Sequence, residues 1–284
     1  MAIHNEAILY GIVEKTPIVS VVDNKPVKGS AYLTVIKGDR TSEDHEKKKG
    51  FTKVYNYTPL PILTKDPDVL DSMKDWKIND LILIKGNVIT ANVTKDAICP
   101  HCGEVYHKEG AVITYINPIH ASIEKSFSNK DKAVEELKNH TELSNYVTIL
   151  GTVCKTPEAT ETWDNCIRFP IAINRKYFVP GDDPEDYTDY PWVHCYGEKN
   201  LSAAERCQVG TNVFLEGTLR VRKYPELSVV CGGCGKTFPW KDITIDFIPY
   251  AIELLNNFIT DEMIEEEEKE EATNILAEMG LKKE

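Results

Sequence analysis

Apolar and polar residues alternate along most of this chain in short runs, broken by Gly, Pro, Asn and Asp, which is the period-two signature of half-buried strands. The pattern predicts strands at Ala7 to Val13, Ala31 to Lys37, Lys53 to Leu63, Leu81 to Asn92 and Ala111 to Asn117. A helical stretch near Val69 to Trp76 separates the third from the fourth. The second half follows the same order, with strands at Tyr146 to Cys154, Cys166 to Asn174, Trp192 to Tyr196, Asn212 to Tyr224 and Ile243 to Ile248. Its helical stretch, Leu201 to Cys207, also falls between strands three and four. Between the halves, Asn129 to Leu143 is charged and rich in helix formers, and reads as a linker helix.

The wording of the two halves also repeats. Gly-Ile-Val-Glu-Lys-Thr-Pro at Gly11 to Pro17 returns as Gly-Thr-Val-Cys-Lys-Thr-Pro at Gly151 to Pro157. Leu-Ile-Lys-Gly-Asn-Val ending at Val88 answers Phe-Leu-Glu-Gly-Thr-Leu ending at Leu219, and Cys99-Pro-His-Cys102-Gly answers Cys231-Gly-Gly-Cys234-Gly. Landmarks in constant order with small length changes imply a duplicated domain. The expected division is 1–128, a linker at 129–143, 144–260, and a tail at 261–284. Five strands with a helix between the third and fourth is the order of an oligonucleotide/oligosaccharide-binding (OB) barrel, whose ligand crosses strands 2 and 3 and the L12 and L45 loops. A generic five-stranded barrel is the alternative. The expected fold class is therefore all-β with minor helix, two tandem OB-folds, each with a Cys-x-x-Cys-Gly knuckle between strands 4 and 5.

Composition agrees with two modest cores: 284 residues, 42% apolar. The opening residues lack a basic stretch followed by a long apolar one, and no run of about 18 apolar residues occurs, so a cytoplasmic protein is expected. Taken as a total, the net charge of −12 opposes nucleic-acid binding. Yet Asp261 to Glu284 holds ten acids against three lysines, so −7 of it lies in the last 24 residues. That tail reads as a solvated arm with a small apolar coda at Ile275, Leu276, Met279 and Leu281. Catalytic constellations are missing from the sequence. Gly232 to Thr237 imitates a phosphate loop, but Val230 stands where that pattern needs Gly and a strand follows where it needs a helix.

Two Cys-x-x-Cys-Gly turns in an ordinary globular composition favour reduced thiols and metal over disulfides. Structural zinc takes four ligands, and each half offers two thiolates. The first could add His101, His107 or His120; the second has no His or Cys after Cys234. Cys99, Cys102, Cys231 and Cys234 would together complete one Zn2+ site, the alternatives being a site shared between chains or ligand-free or redox pairs. Cys154, Cys166, Cys195 and Cys207 read as buried small hydrophobes.

Single strands are held by cations that follow the phosphates and by rings on which any base stacks. In the second half Arg168, Arg175, Lys176, Arg220 and Arg222 interleave with Phe178, Trp192, Tyr196 and Tyr224. In the first, Lys37, Arg40 and Lys53 lie near Tyr55 and Tyr57, around a loop with Lys47, Lys48, Lys49 and Phe51. Core packing is the competing reading of each ring, and a solvated loop that of the lysine run. The ordered wording Asn145 to Val153, Arg168 to Arg175, Trp192 to Gly197 and Gly210 to Arg220 resembles the bacterial single-stranded-DNA-binding protein family over about 110 residues. The first half shares its landmarks but lacks the Asn-Arg and Trp signatures. The resemblance implies an OB-fold, a non-catalytic protein coating single-stranded DNA in replication, recombination or mobile-element transfer, and an acidic tail for replication or recombination partners. This chain lacks the family's Ile-Pro-Phe ending. The rival expectations are a zinc-containing scaffold for such proteins and an RNA-binding OB protein; a homodimer would give four barrels.

Overall fold

A computed structural model describes residues 3–37, 55–160, 165–182, 187–223, 227–240 and 243–256. The first half contains β1 (His4–Val13), β2 (Ile18–Val22), β3 (Lys25–Ile36), β4 (Tyr57–Thr64), β5 (Leu81–Ile98) and β6 (Val105–Lys125), with α1 (Pro67–Met73) between β4 and β5. Five of these strands pair in a closed circuit: β1 with β3, β3 with β4, β4 with β6, β6 with β5, and β5 with β1. After the linker helices α2 (Lys130–Lys138) and α3 (Thr141–Ser144) come β7 (Asn145–Val153), β8 (Glu158–Thr160), β9 (Cys166–Asn174), β10 (Thr188–Asp189) and β11 (Trp192–Cys195). Then follow α4 (Glu198–Glu205), β12 (Asn212–Lys223), β13 (Leu227–Val230), β14 (Thr237–Trp240) and β15 (Ile243–Asn256). The second circuit runs β7, β9, β11, β15, β12 and back to β7. In both circuits only the third-to-fifth pairing, β4 with β6 and β11 with β15, is parallel.

The alternation read from the sequence sets which side chains fill each ring. Leu9, Leu33, Leu60, Ile62 and Ile84 in the first, and Ile149, Phe169, Ile171, Val193 and Phe247 in the second, are fully buried. At about 1.5–3 kcal/mol for each large apolar side chain, this burial is the main driving term. Helix α1 covers one end of its ring with Val69, Leu70 and Met73. It starts where it does because Asp66 accepts from the N–H of Asp68 and Val69 at 3.0 and 3.1 Å, with Pro67 in the first turn.

The two rings are one sheet. Strand β1 pairs antiparallel with β7 over His4 to Leu9, with Ala7 opposite Val147, both fully buried. Since the sequence repeat equates residue 7 with residue 147, a local pseudo-twofold axis passes through that pair. Two buried asparagines flank it. Asn5 brackets Val88, donating to its carbonyl and accepting its N–H at 2.9 Å each, and Asn145 does the same to Leu219 at 2.8 and 3.0 Å. Linker helix α2 is capped by Asn129, and Ser144 at the end of α3 donates to the Tyr10 carbonyl and accepts from the Ile36 N–H.

Three elements differ from expectation. Strands β5 and β6 continue to Ile98 and Val105 as a long hairpin arm whose outer part alternates only between half-buried and exposed residues, so no apolar period marks it. Strand β15 likewise runs on to Asn256. The β2–β3 hairpin was not expected because Ile18, Val21 and Val22 are exposed rather than core; its turn places Asp23 and Asn24 at φ 47° and 60°.

Each ring has one register shift beside a glycine, at Lys85/Gly86 and Glu216/Gly217. A Cβ at Gly86 would fall on the Asn117 carbonyl oxygen, and one at Gly217 on that of Ile248. Gly217→Ala should therefore destabilise by about 2 kcal/mol or more in urea unfolding, as overpacking against backbone does. Gly232→Ala, where a Cβ meets open space, should change stability by less than about 0.5 kcal/mol.

Candidate nucleic-acid interface and cysteine centre

The tip of the β5–β6 arm carries the first knuckle, and the excursion between β12 and β15 carries the second, framed by β13 and β14. Both are built alike. The N–H of Cys99 donates to Glu104 O and that of Gly103 to Cys99 O; the N–H of Cys231 donates to Lys236 O and that of Gly235 to Cys231 O. Gly103 and Gly235 adopt φ 80° and 69°, which a side chain would resist. The Sγ atoms of Cys99 and Cys234 lie 3.8 Å apart, those of Cys102 and Cys231 3.5 Å, and all four fall within 4.8 Å of one another. Four thiolates about 2.3 Å from a tetrahedral centre would sit about 3.8 Å apart, so the set can hold one metal ion. The N–H groups of Cys234 and Gly233 draw the Cys231 thiol down to about 7, whereas the thiols of Cys102 and Cys234 beside it are raised. Val229, Phe238 and Trp240 pack with Cys99 and Cys231, Tyr106 meets Trp240 edge-on, and Lys108 lies over the same ring.

The other four cysteines separate into two groups. Cys166, Cys195 and Cys207 are buried, and burial pushes their thiols up, as inert hydrophobes require. Cys154 is only half-buried and lines a cleft instead, a correction to its assignment as core.

That cleft, about 1000 Å³, lies between the rings, walled by β5 and β6 of the first and by the β9–β11 region of the second. Among the described residues its lining contains four cations, Lys28, Lys65, Lys155 and Arg175, and the carboxylate of Asp182. Tyr115, Tyr190 and Trp192 also line it. Buried Asp189 fixes its inner wall: its Oδ1 accepts from the Thr90 N–H at 2.8 Å, and its carboxylate binds Arg175 at 2.7 and 3.1 Å. The Thr90 hydroxyl accepts from the Tyr190 N–H at 2.9 Å. One ring's arm is thereby bonded to the other ring's edge.

The sequence-predicted residues divide by what they touch. Trp192 is half-buried in the cleft wall with the Arg168 guanidinium 5.3 Å above its ring. Arg220, Phe178, Lys176, Lys37 and Tyr57 are exposed. Arg175 and Arg222 are not free cations on the surface: their side chains are 7% and 10% exposed and are ion-paired, Arg175 to Asp182 and Asp189, Arg222 to Asp246 at 2.5 Å. Tyr55 packs beneath α2 with Lys138 over its ring. Tyr196 is half-buried, and burial with its hydrogen bond to Cys166 pushes it to about 12. Arg40, Lys53, Tyr224, the Lys47 to Lys49 run, Phe51 and the tail lie outside the described residues. Lys28, Lys65, Lys155, Tyr115 and Tyr190 were not anticipated; only Lys155, in the repeated Lys-Thr-Pro, carried a signal.

Residues 144–228 match the model of the single-strand binding protein family, so the resemblance read from the second half holds there. No curated protein sequence matches the chain. Among solved structures, the wild-type single-stranded DNA binding protein from Thermus aquaticus superposes with a TM-score of 0.57 at 11% identity, covering 92% of this chain and 97% of its own. A deletion variant of it gives 0.57 at 13%, covering 92% and 100%. At such identity the likeness establishes the fold, an all-β OB architecture. No helix among the described residues is long and apolar enough to cross a membrane.

His194 of β11 is 3% exposed, with neither ring nitrogen hydrogen-bonded and Asp246 Oδ2 3.7 Å away. Burial, and then Arg222, Arg168 and Arg220, lower its pKa to about 3. The unfolded chain, whose histidine titrates near 6.5, takes up this proton first. Stability from neutral His194 is thus full above about pH 6.5 and falls, by up to about 1.4 kcal/mol per unit, as pH drops toward 3. Urea unfolding between pH 7 and 4 should be less pH-dependent in His194→Gln than in the native sequence.

Proposed function

We propose that this chain is a non-catalytic single-stranded-DNA-binding protein whose two OB rings hold one strand along the cleft between them. The observation that carries this reading is the cleft lining itself, which among the described residues brings together four cations, one carboxylate and three aromatic side chains, in a chain whose total charge is −12. A base-independent single-strand site needs that combination, because the phosphates require cations and unpaired bases offer faces to stack. The matched family segment, 144–228, contains Lys155, Arg175, Tyr190 and Trp192 of the cleft lining. The similarity of the Thermus aquaticus single-stranded DNA binding protein in fold supports the same reading. Trp192 and Tyr190 are its stacking rings, and Lys28, Lys65 and Lys155 its phosphate contacts. Duplication of one OB unit accounts for the two equivalent circuits, and the acidic segment 261–284 is a docking arm for protein partners.

Zn2+ is the metal we assign to Cys99, Cys102, Cys231 and Cys234, on the chemistry of four soft thiolates at tetrahedral spacing. Bound there, it supplies structural cross-linking. The protein's own contribution is the pair of glycine-bent turns and the Phe238–Trp240 cover.

Fluorescence titration should find single strands bound far better than duplex, with affinity falling at a log-log slope of about −0.7 per phosphate neutralised. Trp192→Ala should weaken binding about 5- to 160-fold, the loss of roughly 1–3 kcal/mol of stacking, with little change in slope. Equal affinity for duplex would refute the assignment. Metal analysis should give close to one zinc per chain, and Cys99→Ser and Cys231→Ser should each lose the whole ion. Two zincs per chain, or one retained in either variant, would rule out a single four-cysteine site.

A further inference from the structure

Among the described residues of the cleft lining, the one carboxylate, Asp182, is bonded to two of the four cations. Asp182 Oδ2 accepts from Arg175 Nη1 at 2.8 Å, and its Oδ1 lies 3.2 Å from Lys65 Nζ. Lys65 also donates to the Gly181 carbonyl at 3.1 Å. The two cations come from different rings: Lys65 follows β4 of the first, and Arg175 follows β9 of the second. Their other surroundings differ. Arg175 is 7% exposed and keeps Asp189 as a second, buried partner, whereas Lys65 is 43% exposed with Asp182 as its carboxylate partner. Asp182 itself is 25% exposed, so solvent and ligand can reach it.

We infer that Lys65 and Arg175 form a phosphate subsite bridging the two rings, and that Asp182 occupies it in the free protein. Two oxygens on one acid, facing a lysine and an arginine, reproduce the acceptor geometry of a backbone phosphate. The inference rests on the cleft being the single-strand site. It adds that binding there is an exchange: a phosphate displaces the carboxylate, Arg175 keeps its Asp189 anchor, and the Lys65 strap across the mouth of the cleft opens. The Lys65–Asp182 pair holds the strap weakly, since solvent reaches both side chains and screens their attraction. A polyanion can therefore replace Asp182 while small monovalent anions cannot compete effectively. Asp182 acts as an internal competitor that sets affinity and opposes occupancy by weak ligands.

The test is a double-mutant cycle on the full-length protein, read by fluorescence titration with a fluorescein-labelled oligothymidylate at two salt concentrations. Asp182→Asn should bind about 3- to 10-fold more tightly at low salt, with a log-log salt slope steeper by up to about 0.7, one more phosphate neutralised. The gain should vanish in the Lys65→Met background, because the two residues act on one site. Glu253→Gln, an exposed carboxylate on β15 away from the cleft lining, reports what loss of any negative charge does, and should give less than a 2-fold change. Bound oligothymidylate should also protect Lys65 from acylation by an amine-reactive ester. Unchanged or weaker binding by Asp182→Asn, or a gain that persists without Lys65, overturns the subsite while leaving single-strand binding intact. Failure of the native sequence to bind oligothymidylate at low salt overturns the function itself.

Discussion

The β1–β7 ladder is the constraint from which the rest of the architecture follows. Two OB rings joined only by a linker could take many relative orientations, and neither a shared metal centre nor a shared cleft would persist. Antiparallel pairing over six residues, with Ala7 opposite Val147 at full burial, fixes their relation. One-residue slippage would turn the alternating side chains of either strand to the wrong face, so the buried pattern itself locks the register. Asn5 and Asn145 strengthen that lock by bonding the neighbouring strands β5 and β12 where their ladders bend.

With the rings held this way, the two knuckles meet, and the four thiols close a centre that neither half contains alone. The hydrophobic cover of Phe238 and Trp240 grows on that meeting, since these side chains lie outside the ring cores and pack against Cys99 of the other half. An ion in this centre would connect the β5–β6 arm to the second ring, adding a covalent-like restraint far from the β1–β7 ladder. The arm needs one: its outer residues bury little, and beyond the ladder its contacts to the second ring include the Lys95 hydrogen bond to Ile243 O and the Thr90–Asp189 bond.

The cleft illustrates how net charge misleads. A protein of charge −12 still presents a cationic lining, because at an ionic strength of about 0.15 M charges farther than about 8 Å are largely screened. A ligand in the cleft would meet the local set, and two of the described buried acids are already paired with arginine. Asp189 and Asp246 are buried partners of Arg175 and Arg222, so they position cations rather than repel a phosphate from the surface. The same low-dielectric setting keeps His194 neutral.

The strand order, the helix between strands three and four, the two knuckles and the resemblance of the second half were all legible in the sequence, because each rests on local periodicity or spacing. Cys166 to Asn174 is a strand by alternation alone, and Cys231 to Gly235 is a knuckle by its spacing. The site was legible only in part. Trp192 and Arg168 were found, but Arg175 and Arg222 looked identical to surface cations, since sequence carries no record of the aspartates that approach them from 7 to 24 residues away. Lys28 and Lys65 gave no signal, for they come to line a cleft only when the second ring is set beside the first. Local composition determined what each half would fold into. The long-range ladder decided which side chains of the two halves would share a cleft, a metal centre and their counter-charges, because those depend on distances that periodicity does not encode.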